Sequence, residues 1–478
     1  MPHRTPRPAT PTWHVALCAL CLGGALATIA GAQPPVRLLE AEPASKTRCA
    51  LPKAPNAADS APNIVLIAVD TLRADHLGFL GHSRDVSPSL DALANDSLVF
   101  ERAIAAAPWT TPSFAGLFTG RHPAELGFEK EPIRLPTDIP TLGEQLDERG
   151  YTTVGVISHF FLGKKFGFHR GFDFWNQNAA GGHDKVSSEE VTDLALDCLA
   201  NLADRGAPFF LFVHYFDPHY DYLGHPEHPY YGHYEGSVRS ESDNFEDLRK
   251  MARADKLSPA DMRYLRDLYD SEIAFTDQHI GRLLDTLHAA DLYDDSIIVF
   301  LADHGEMFAE RQGRWIGHTQ FLYDEVVRVP LVVKLPRDDG RRGRIRQAVS
   351  LVDVGPTVLE WIDGARPSPR SLIASASKGR PVFTQTRRWR QLDAVVHDGW
   401  KLIADRRRGF VELFDLARDP GERENRADVE PERRDELQEL LDAWVQFNTR
   451  ELAKLEGVEV PEMTDEEIER LRSLGYIQ

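Results

Sequence analysis

The run "NIVLIAVD", residues 63–70, is the stretch that decides the fold. It is a continuous apolar segment that ends in an acidic side chain, Asp70. An uninterrupted apolar run of this length suits a strand that is buried on both faces of a parallel sheet. Such sheets bind their ligands at the carboxyl ends of the strands. The stretch therefore predicts a buried strand with a functional carboxylate at its end.

The same pattern recurs further along the chain. The later runs are "YTTVGVIS" (151–158), "PFFLFVHYFD" (208–217), "SIIVFLADHGE" (296–306) and "VPLVVKLP" (329–336). Segments with helical periodicity lie between them, at residues 88–96, 141–150, 187–204 and 258–291. Strands that alternate with helices predict an α/β sandwich around a mostly parallel sheet.

Two parts of the chain depart from this alternation. Residues 219–257 are polar and rich in His and Tyr, and we expect a long loop over the active face. Beyond residue 366, the segments "RPVFTQT", "DAVVHDGWKLIAD" and "GFVELFDL" are typical of antiparallel strands, and a helix near 430–450 follows. We therefore predict a catalytic domain over 62–365 and a smaller subdomain with antiparallel strands and terminal helices over 366–478.

The N-terminal segment has the pattern of an export signal. Two arginines precede an apolar run that ends in Ala-Gly-Ala, so residues 1–32 are predicted to be a signal peptide cut before Gln33. The alternative is an uncleaved membrane anchor. Residues 33–61 are rich in Pro and Ala and predict an extended arm. Cleavage would give a periplasmic or secreted protein with no stable membrane span.

Charge and cysteine content agree with export. The formal net charge of −19 at pH 7 argues against nucleic-acid binding. Of the four cysteines, Cys49 and Cys198 lie outside the predicted signal peptide. They are able to pair in an oxidising compartment, although their separation in sequence says nothing about their proximity.

Polar side chains follow three of the predicted strands. They are Asp70; His214, Asp217 and His219; and Asp303 and His304. A parallel sheet brings strand ends to one edge, where carboxylates and imidazoles together suit a divalent ion of intermediate hardness. Thr110 begins a predicted helix, and the free N–H groups of a helix start favour an anion.

Several longer segments resemble the sulfatases of the alkaline phosphatase superfamily. They are "PNIVLIAVDTLRADHLG" (62–78), "SPSLDALANDSLVFERAIAAAPWTTPSFAGLFTGRHP" (87–123), "ADHGEMF" (302–308), "GHTQFLYDEVVRVPLVVK" (317–334), "GWKLI" (399–403) and "ELFDLARDPGERENRA" (412–427). The resemblance extends over roughly residues 61–425. It implies an alkaline-phosphatase/sulfatase-like sandwich around a large mixed, mostly parallel sheet, with a small C-terminal α+β subdomain.

The nucleophile motif departs from this family. Sulfatases carry Cys-x-Pro-x-Arg before a helix that ends in Thr-Gly-Arg. Counted back from Thr119-Gly120-Arg121, the Cys position falls on Thr110, the Pro matches Pro112, and Phe114 replaces the Arg. Sulfatases convert the Cys, or a Ser, to formylglycine, and we do not expect this conversion here. Thr110 instead resembles the threonine nucleophile of related nucleotide phosphodiesterases and phosphoethanolamine transferases.

The resemblance also implies a metal site. Asp70 matches the family's first ligand, and Thr71 replaces the second acid that is usual in sulfatases. Asp303-His304 stands where the common sulfatases carry Asp-Asn, and it is similar to the phosphorus-acting members. One divalent ion is implied, with two as the alternative. Ca²⁺, Mn²⁺ and Zn²⁺ all suit these side chains.

The remaining candidates are histidines and basic residues near these motifs. By resemblance, His214 or His219 would protonate the leaving oxygen, and His318 would contact the anion or the leaving group. The candidates for substrate binding are His159, Lys164 and Arg121.

These features favour an exported metal-dependent hydrolase that cleaves phosphate, phosphonate or sulfate esters through Thr110. The expected substrate is an anionic ester on a sulfated or phosphorylated glycan, a lipid or a small molecule. One alternative is a true sulfuric ester hydrolase, which the loss of the formylglycine motif disfavours. The other is a degenerate protein that binds anionic glycans without turnover, which the retention of Thr110 beside the metal-ligand set disfavours.

Overall fold

The computed structural model describes residues 49–51, 61–128, 133–180, 187–220, 222–238, 245–311, 315–374, 379–455 and 457–468. The predicted signal peptide and most of the predicted arm lie outside these residues. Within the described ranges, no helix combines the length and the apolar character that a membrane crossing requires.

The strands follow one another along the whole described chain. In order they are β1 (Asn63–Val69), β2 (Leu98–Phe100), β3 (Ala103–Ile104), β4 (Thr152–Ile157), β5 (Phe174–Asn176), β6 (Phe209–Tyr215), β7 (Ser296–Ala302), β8 (Met307–Phe308), β9 (Ile316–Gly317), β10 (Arg328–Val329), β11 (Leu331–Lys334), β12 (Gly343–Ile345), β13 (Val349–Ser350), β14 (Val382–Thr386), β15 (Leu392–His397), β16 (Trp400–Asp405) and β17 (Phe410–Asp415).

Helices fill most of the connections. In order they are α1 (Pro88–Asn95), α2 (Thr110–Thr119), α3 (Leu142–Asp147), α4 (Ser188–Ala203), α5 (Phe245–Arg253), α6 (Pro259–Ala289), α7 (Asp324–Val327), α8 (Val354–Ile362) and α9 (Pro431–Leu452).

The central sheet has the strand order β12-β2-β11-β7-β1-β6-β4-β5. Strand β1 is its centre: it pairs in parallel with β6 and β7, and residues 64–69 are all buried. Strand β11 runs antiparallel to β7, because the chain returns from the edge where β7 ends without a long crossover helix. The predicted large mixed, mostly parallel sheet is confirmed.

The C-terminal region forms a separate sheet of strands β14-β15-β16-β17, all antiparallel. Helix α9 packs its buried side chains Leu437, Leu441 and Trp444 in one apolar cluster with residues of this sheet. The antiparallel strands and the helix agree with the sequence prediction, whereas the boundary at residue 365 stays a prediction. The sheet also touches the segment before α2, because Gln385 N–H donates to Ala106 O at 3.2 Å.

The region expected to be one long loop, residues 219–257, contains helix α5. Leu248 and Ala252 on this helix are buried and four residues apart, the spacing of one helix face. The apolar face of α5 consists of little more than these two residues, and most of its other residues are charged. The sequence therefore shows no clear helical periodicity here, and the helix was not predicted.

Cys49 and Cys198 form a disulfide, with their Cα atoms 5.1 Å apart. Cys198 lies in α4, and both side chains are buried. The pairing that the sequence left open is therefore present in the fold.

Candidate active site

Three side chains converge at the edge where β1 and β7 end: Asp70, Asp303 and His304. His304 Nε2 lies 3.5 Å from Asp70 Oδ1 and 3.4 Å from Asp303 Oδ2. One ligand atom from each residue lies within 4.8 Å of the other two, and all three side chains are buried. The structure therefore brings together the residues that the sequence proposed as metal ligands.

The polar atoms of this cluster test whether a cation fits. Both carboxylate oxygens of Asp70, Asp303 Oδ2 and His214 Nε2 are buried without a hydrogen-bond partner among the described residues. His304 Nδ1 lies 3.1 Å from Gly305 O, so we assign the ring proton to Nδ1 and the lone pair to Nε2. Buried acceptor atoms that face one another without a donor are stabilised by a cation. The donor set therefore fits a divalent ion.

The acidity of the two carboxyl groups leads to the same conclusion. Burial raises the pKa of Asp303, and burial with the charges of Asp303 and Glu306 raises the pKa of Asp70. The nearby Thr71 N–H and Thr110 hydroxyl offset only part of this rise. A divalent ion between the carboxylates would favour their ionised forms. Thr71 has a φ of 53°, a left-handed conformation that is costly for a β-branched residue and that recurs at functional sites.

The candidate nucleophile lies next to this cluster. Thr110 is the first residue of α2, and its Oγ1 lies 3.4 Å from His304 Nε2. The side chain of Trp109, which caps the helix, makes no capping hydrogen bond to the first turn. The N–H groups at the start of α2 are thus available to an anion beside the Thr110 hydroxyl.

Phe114 occupies the motif position that an arginine would fill. Its ring is buried and lies 5.2 Å from the ring of His214 and 5.9 Å from that of Phe212. His214 Nε2 lies 3.6 Å from Asp70 Oδ2. Burial lowers the pKa of His214 to about 3. His214 is therefore neutral near neutral pH, and it borders the metal-ligand cluster rather than solvent.

His159 also faces Asp70, with its Nε2 3.7 Å from Asp70 Oδ2. Its Nδ1 accepts a hydrogen bond from Phe161 N at 3.0 Å, so the neutral ring carries its proton on Nε2. Asp70, His159 and His219 also have ligand atoms within 4.8 Å of one another. The proton on His159 Nε2 nevertheless makes this residue a hydrogen-bond donor in its neutral form.

His318 closes another side of the site. Its ring centre lies 4.5 Å from that of His304 and 5.0 Å from that of His219. Its Nδ1 lies 3.3 Å from Glu306 Oε1. Burial, followed by the charges of Arg388 and Arg249, lowers the pKa of His318 to about 3. The ring is therefore neutral near neutral pH and oriented by a carboxyl group.

Glu306 was not among the residues proposed from the sequence. It is fully buried, and burial raises the pKa of its carboxyl group well above the ordinary value. The available signal was its place in "ADHGEMF", three residues after Asp303 in a motif that already carries two predicted metal ligands.

Asp217, which the sequence grouped with His214 and His219, binds backbone N–H groups at the start of α4. Its Oδ2 accepts from Ser187 N at 3.0 Å and from Ser188 N at 2.8 Å, at the start of α4. A carboxylate in this position stabilises the N-terminus of a helix. Asp217 therefore caps α4, and the same contact fixes the segment that follows His214.

Two of the proposed substrate-binding residues have no observed contact with the metal-ligand cluster among the described residues. Arg121 follows the far end of α2, roughly 15 Å along the helix from Thr110. Its Nη1 lies 3.9 Å from Glu125 Oε2 and 4.0 Å from Glu451 Oε2. Lys164 is exposed, and its backbone N–H donates to Gln177 Oε1 at 3.0 Å. The substrate-binding roles of both residues stay predictions.

Comparison with known proteins identifies the family. A sequence model of the Sulfatase family matches residues 62–365, more than half of the chain. The chain belongs to the sulfatase family.

Individual relatives are distant from this sulfatase-family chain. An ulvan-active sulfatase of Formosa agariphila is 27% identical over 325 residues, which cover 62% of this chain and 61% of the relative, less than two thirds of its length. An N-acetylglucosamine-6-O-sulfatase of Bacteroides thetaiotaomicron is 23% identical over 446 residues, or 76% of this chain and 77% of the relative. A phosphonate monoester hydrolase of Agrobacterium radiobacter superposes with a TM-score of 0.63 at 19% identity, over 84% of this chain and 100% of that chain. That superposition supports the sulfatase fold.

Proposed function

We propose that this sulfatase-family protein is an exported, metal-dependent hydrolase that cleaves phosphate or phosphonate esters through Thr110. The observation that carries the proposal is the position of Thr110 Oγ1, 3.4 Å from His304 Nε2 at the start of α2. A binding protein has no need of a hydroxyl beside a metal-ligand cluster. Export is supported by the N-terminal pattern and by the Cys49–Cys198 disulfide.

Asp70, Asp303 and His304 would hold the ion, with Ca²⁺, Mn²⁺ and Zn²⁺ as the candidates. A bound divalent ion lowers the pKa of an adjacent hydroxyl and offsets the charge of an anionic ester. His304 Nδ1 faces Gly305 O, which keeps the lone pair of Nε2 directed at the cluster.

The other residues of the site bind the ester. N–H groups at the start of α2 donate to its non-bridging oxygens, and the proton on His159 Nε2 provides a further donor. With Glu306 protonated, His318 Nδ1 accepts from Glu306 and Nε2 carries the proton that faces the substrate. As the leaving oxygen departs, it takes the Nε2 proton while Nδ1 takes the proton of Glu306. A neutral His318 thereby acts as an acid without passing through an imidazolium.

The choice of phosphorus over sulfur follows from the second step. Thr110 loses its hydroxyl proton to solvent and attacks phosphorus, the bond from phosphorus to the leaving oxygen breaks, and a covalent threonine ester remains that water must hydrolyse. A formylglycine sulfate releases sulfate by collapsing to its aldehyde, but a threonine has no such exit. Water attack at phosphorus breaks the ester bond to Thr110, whose oxygen takes a proton from that water, and Glu306 regains its proton from solvent, which completes the cycle.

Sulfate esters are the second candidate, favoured by the relatives. The ulvan-active sulfatase and the N-acetylglucosamine-6-O-sulfatase are named for sulfate-ester activity. If this chain hydrolyses sulfate esters as those relatives are named for doing, a sulfated glycan is the expected substrate.

A substrate panel separates these possibilities. The exported protein, loaded in turn with Ca²⁺, Mn²⁺ or Zn²⁺, is assayed on an aryl sulfate, an aryl phosphate, a phosphodiester and a phosphonate monoester. We expect phosphodiester or phosphonate turnover that disappears in Thr110→Ala and persists in Thr111→Val, whose hydroxyl is the neighbouring one. Turnover confined to the sulfate would establish the second candidate. A protein that binds metal and turns over none of the four would contradict the proposal.

A further inference from the structure

A second group of potential metal ligands shares no residue with the candidate active site. His76 and His82 come from the segment that follows β1, and Asp270 comes from α6. Each residue offers one ligand atom, and these atoms all lie within 4.8 Å of one another. His76 and Asp270 are buried, whereas the His82 side chain is 16% exposed and leaves a path from solvent.

The distances within this group suit one tetrahedral ion. His76 Nδ1 lies 2.6 Å from Asp270 Oδ1, and His82 Nε2 lies 3.3 Å from Asp270 Oδ2. The centres of the two imidazole rings are 5.0 Å apart. Two imidazoles that bind one tetrahedral zinc ion at Zn–N distances of about 2.0–2.1 Å also have ring centres about 5 Å apart. Ligand atoms on such an ion are separated by about 3.3 Å, so the His76–Asp270 pair needs to open by only about 0.7 Å.

His82 has a polar atom that the ion pairs of this group leave unsatisfied. Its Nε2 is buried and lies beside Asp270 Oδ2, but it makes no hydrogen bond of ordinary geometry among the described residues. A buried nitrogen without a partner costs free energy. A cation bound between the imidazole and the carboxylate would remove this cost.

Arg84 orients Asp270 for this role. Its Nη1 lies 2.7 Å from Asp270 Oδ2, and its Nη2 lies 2.6 Å from Asp267 Oδ1. A carboxylate that binds a metal ion is in turn hydrogen-bonded by neighbouring groups. Oδ2 is therefore held by the arginine while Oδ1 faces His76. The Arg84 side chain is 39% exposed and paired with Asp267, so water and this carboxylate weaken its repulsion of a cation.

The same turn of α6 also holds the chain directly after β1. Tyr269 Oη donates to Thr71 O at 2.7 Å and accepts from Arg73 N at 2.9 Å. The Tyr269 ring packs edge-on against the ring of His76, with the centres 5.0 Å apart. An ion bound to His76 and Asp270 would thus fasten to α6 the segment that leads away from the candidate active site.

We infer that His76, His82 and Asp270 form a second metal site, for which Zn²⁺ is the ion that suits two imidazoles and one carboxylate. Binding releases the proton shared by His76 Nδ1 and Asp270 Oδ1 to solvent, and a water molecule takes the fourth position. The site is structural and takes no part in the ester chemistry, so it does not depend on the proposed function.

Zinc titration of the exported protein tests this site. Metal-free Asp303→Asn protein, in which the candidate active site has lost a carboxylate charge, is titrated calorimetrically with zinc chloride. The same titration is made with the double variant that also carries His82→Phe, which keeps a ring against His76 but has no nitrogen. We expect the double variant to bind one zinc ion per chain fewer. Zinc should also raise the melting temperature of Asp303→Asn more than that of the double variant.

The matched control is His233→Phe in the same Asp303→Asn protein. His233 Nε2 lies 3.0 Å from Glu235 Oε1, but its side chain is 73% exposed, and it belongs to no group of three ligands among the described residues. This variant should keep the full zinc stoichiometry. His82→Gln should weaken the same zinc ion at least tenfold, which provides a readout if His82→Phe does not fold.

The number of zinc ions decides the question. Equal zinc stoichiometry with and without His82→Phe would overturn the second site. Loss of the same ion in His233→Phe would also overturn it, since it would indicate unspecific binding to surface histidines. A zinc ion that depends on His82, in a protein that hydrolyses none of the test esters, would keep this site and reject the proposed hydrolysis.

Discussion

The hydroxyl of Thr110 and the imidazole of His304 lie 3.4 Å apart, although 194 positions separate them in the chain. The relationship arises because α2 begins at the edge of the sheet where β7 ends. Thr110 is the first residue of α2, and His304 lies two residues after the end of β7. The candidate nucleophile and the candidate metal ligand are therefore positioned by α2 and β7, two elements whose residues are almost all buried.

The first prediction concerns a covalent intermediate on Thr110. Acid quenching during phosphonate or phosphodiester turnover should leave a phosphorus ester on the peptide that contains Thr110, detected by mass spectrometry. The adduct should be absent in Thr110→Ala and present in Thr111→Val. Turnover with no adduct on any peptide, even under conditions that slow its hydrolysis, would indicate direct attack by water instead.

The second prediction separates metal ligands from their neighbours. Asp303→Asn and His304→Ala should weaken metal binding at least tenfold, because the first removes a carboxylate charge and the second removes a ligand atom. His159→Ala should retain the ion, because His159 Nε2 carries a proton. Metal content after dialysis, measured by mass spectrometry, checks both. Loss of the ion in His159→Ala would show that the tautomer assignment is wrong.

The third prediction concerns stability against pH. In the metal-free protein the pKa values of Asp70 and Asp303 are raised, so the folded state binds more protons than the unfolded chain between about pH 4 and about pH 8. Relative to the metal-loaded protein, its free energy of unfolding should therefore fall as pH rises through this window, by at least about 1.4 kcal/mol, the value of one pKa unit. His214 and His318, whose pKa values are lowered to about 3, give both forms a slope of the opposite sign below about pH 6.5. Saturating metal should remove most of the fall.

Urea unfolding of the metal-free and metal-loaded protein at several pH values measures this difference. Asp277, remote from the metal ligands, has a pKa raised by burial to about 6 and adds a slope of the same sign to both forms. The comparison between the two forms cancels that contribution. A metal-free Asp303→Asn protein should show a smaller pH-dependent difference from the metal-loaded unmodified protein, and an unchanged difference would contradict the assignment.

The sequence predicted the residues of the candidate site that come directly after predicted strands. Asp70, Asp303 and His304 lie directly after apolar runs, and parallel strands bring such positions to one edge. Arg249 and Arg388, whose charges lower the pKa of His318, carried no comparable signal. One lies on a helix hidden in a charged segment, and the other enters from a separate sheet, so tertiary packing alone determines where they lie.

The same distinction applies to Arg121 and the cysteines. Arg121 belongs to a motif that begins at the site, but a helix of ten residues carries its end away from Thr110. Cys49 and Cys198 are adjacent only because the fold brings the N-terminal segment to α4. The helix length fixes the position of Arg121 from local spacing, whereas the pairing of the two cysteines depends on tertiary packing.

The fourth prediction concerns this disulfide. It closes a segment of 149 residues, so removing it should lower the free energy of unfolding by about 2–5 kcal/mol. Cys49→Ala, Cys198→Ala and the double variant should show the same loss, because each removes the same cross-link. Activity below the unfolding transition should be retained. Unequal losses in the two single variants would show that packing of one side chain, rather than the cross-link, dominates.

The fifth prediction tests the proton path through Glu306. Glu306→Gln keeps the size of the side chain and a hydrogen bond to His318 Nδ1 but holds no transferable acidic proton. Its kcat should fall at least tenfold for a diester with an alkyl alcohol as leaving group, which needs a proton on departure. It should change little for 4-nitrophenolate, which leaves as an anion. His318→Asn should show the same pattern.

The comparison of leaving groups separates proton transfer from a structural effect. A variant that merely distorts the site should slow both diesters alike and move KM as well as kcat. Equal losses for the alkyl and nitrophenyl substrates would therefore contradict the path from Glu306 through His318. Arg121→Gln, far from Thr110 along α2, is the matched control and should leave both rates unchanged. A selective loss in Glu306→Gln alone would instead identify Glu306 as the acid that meets the leaving oxygen directly.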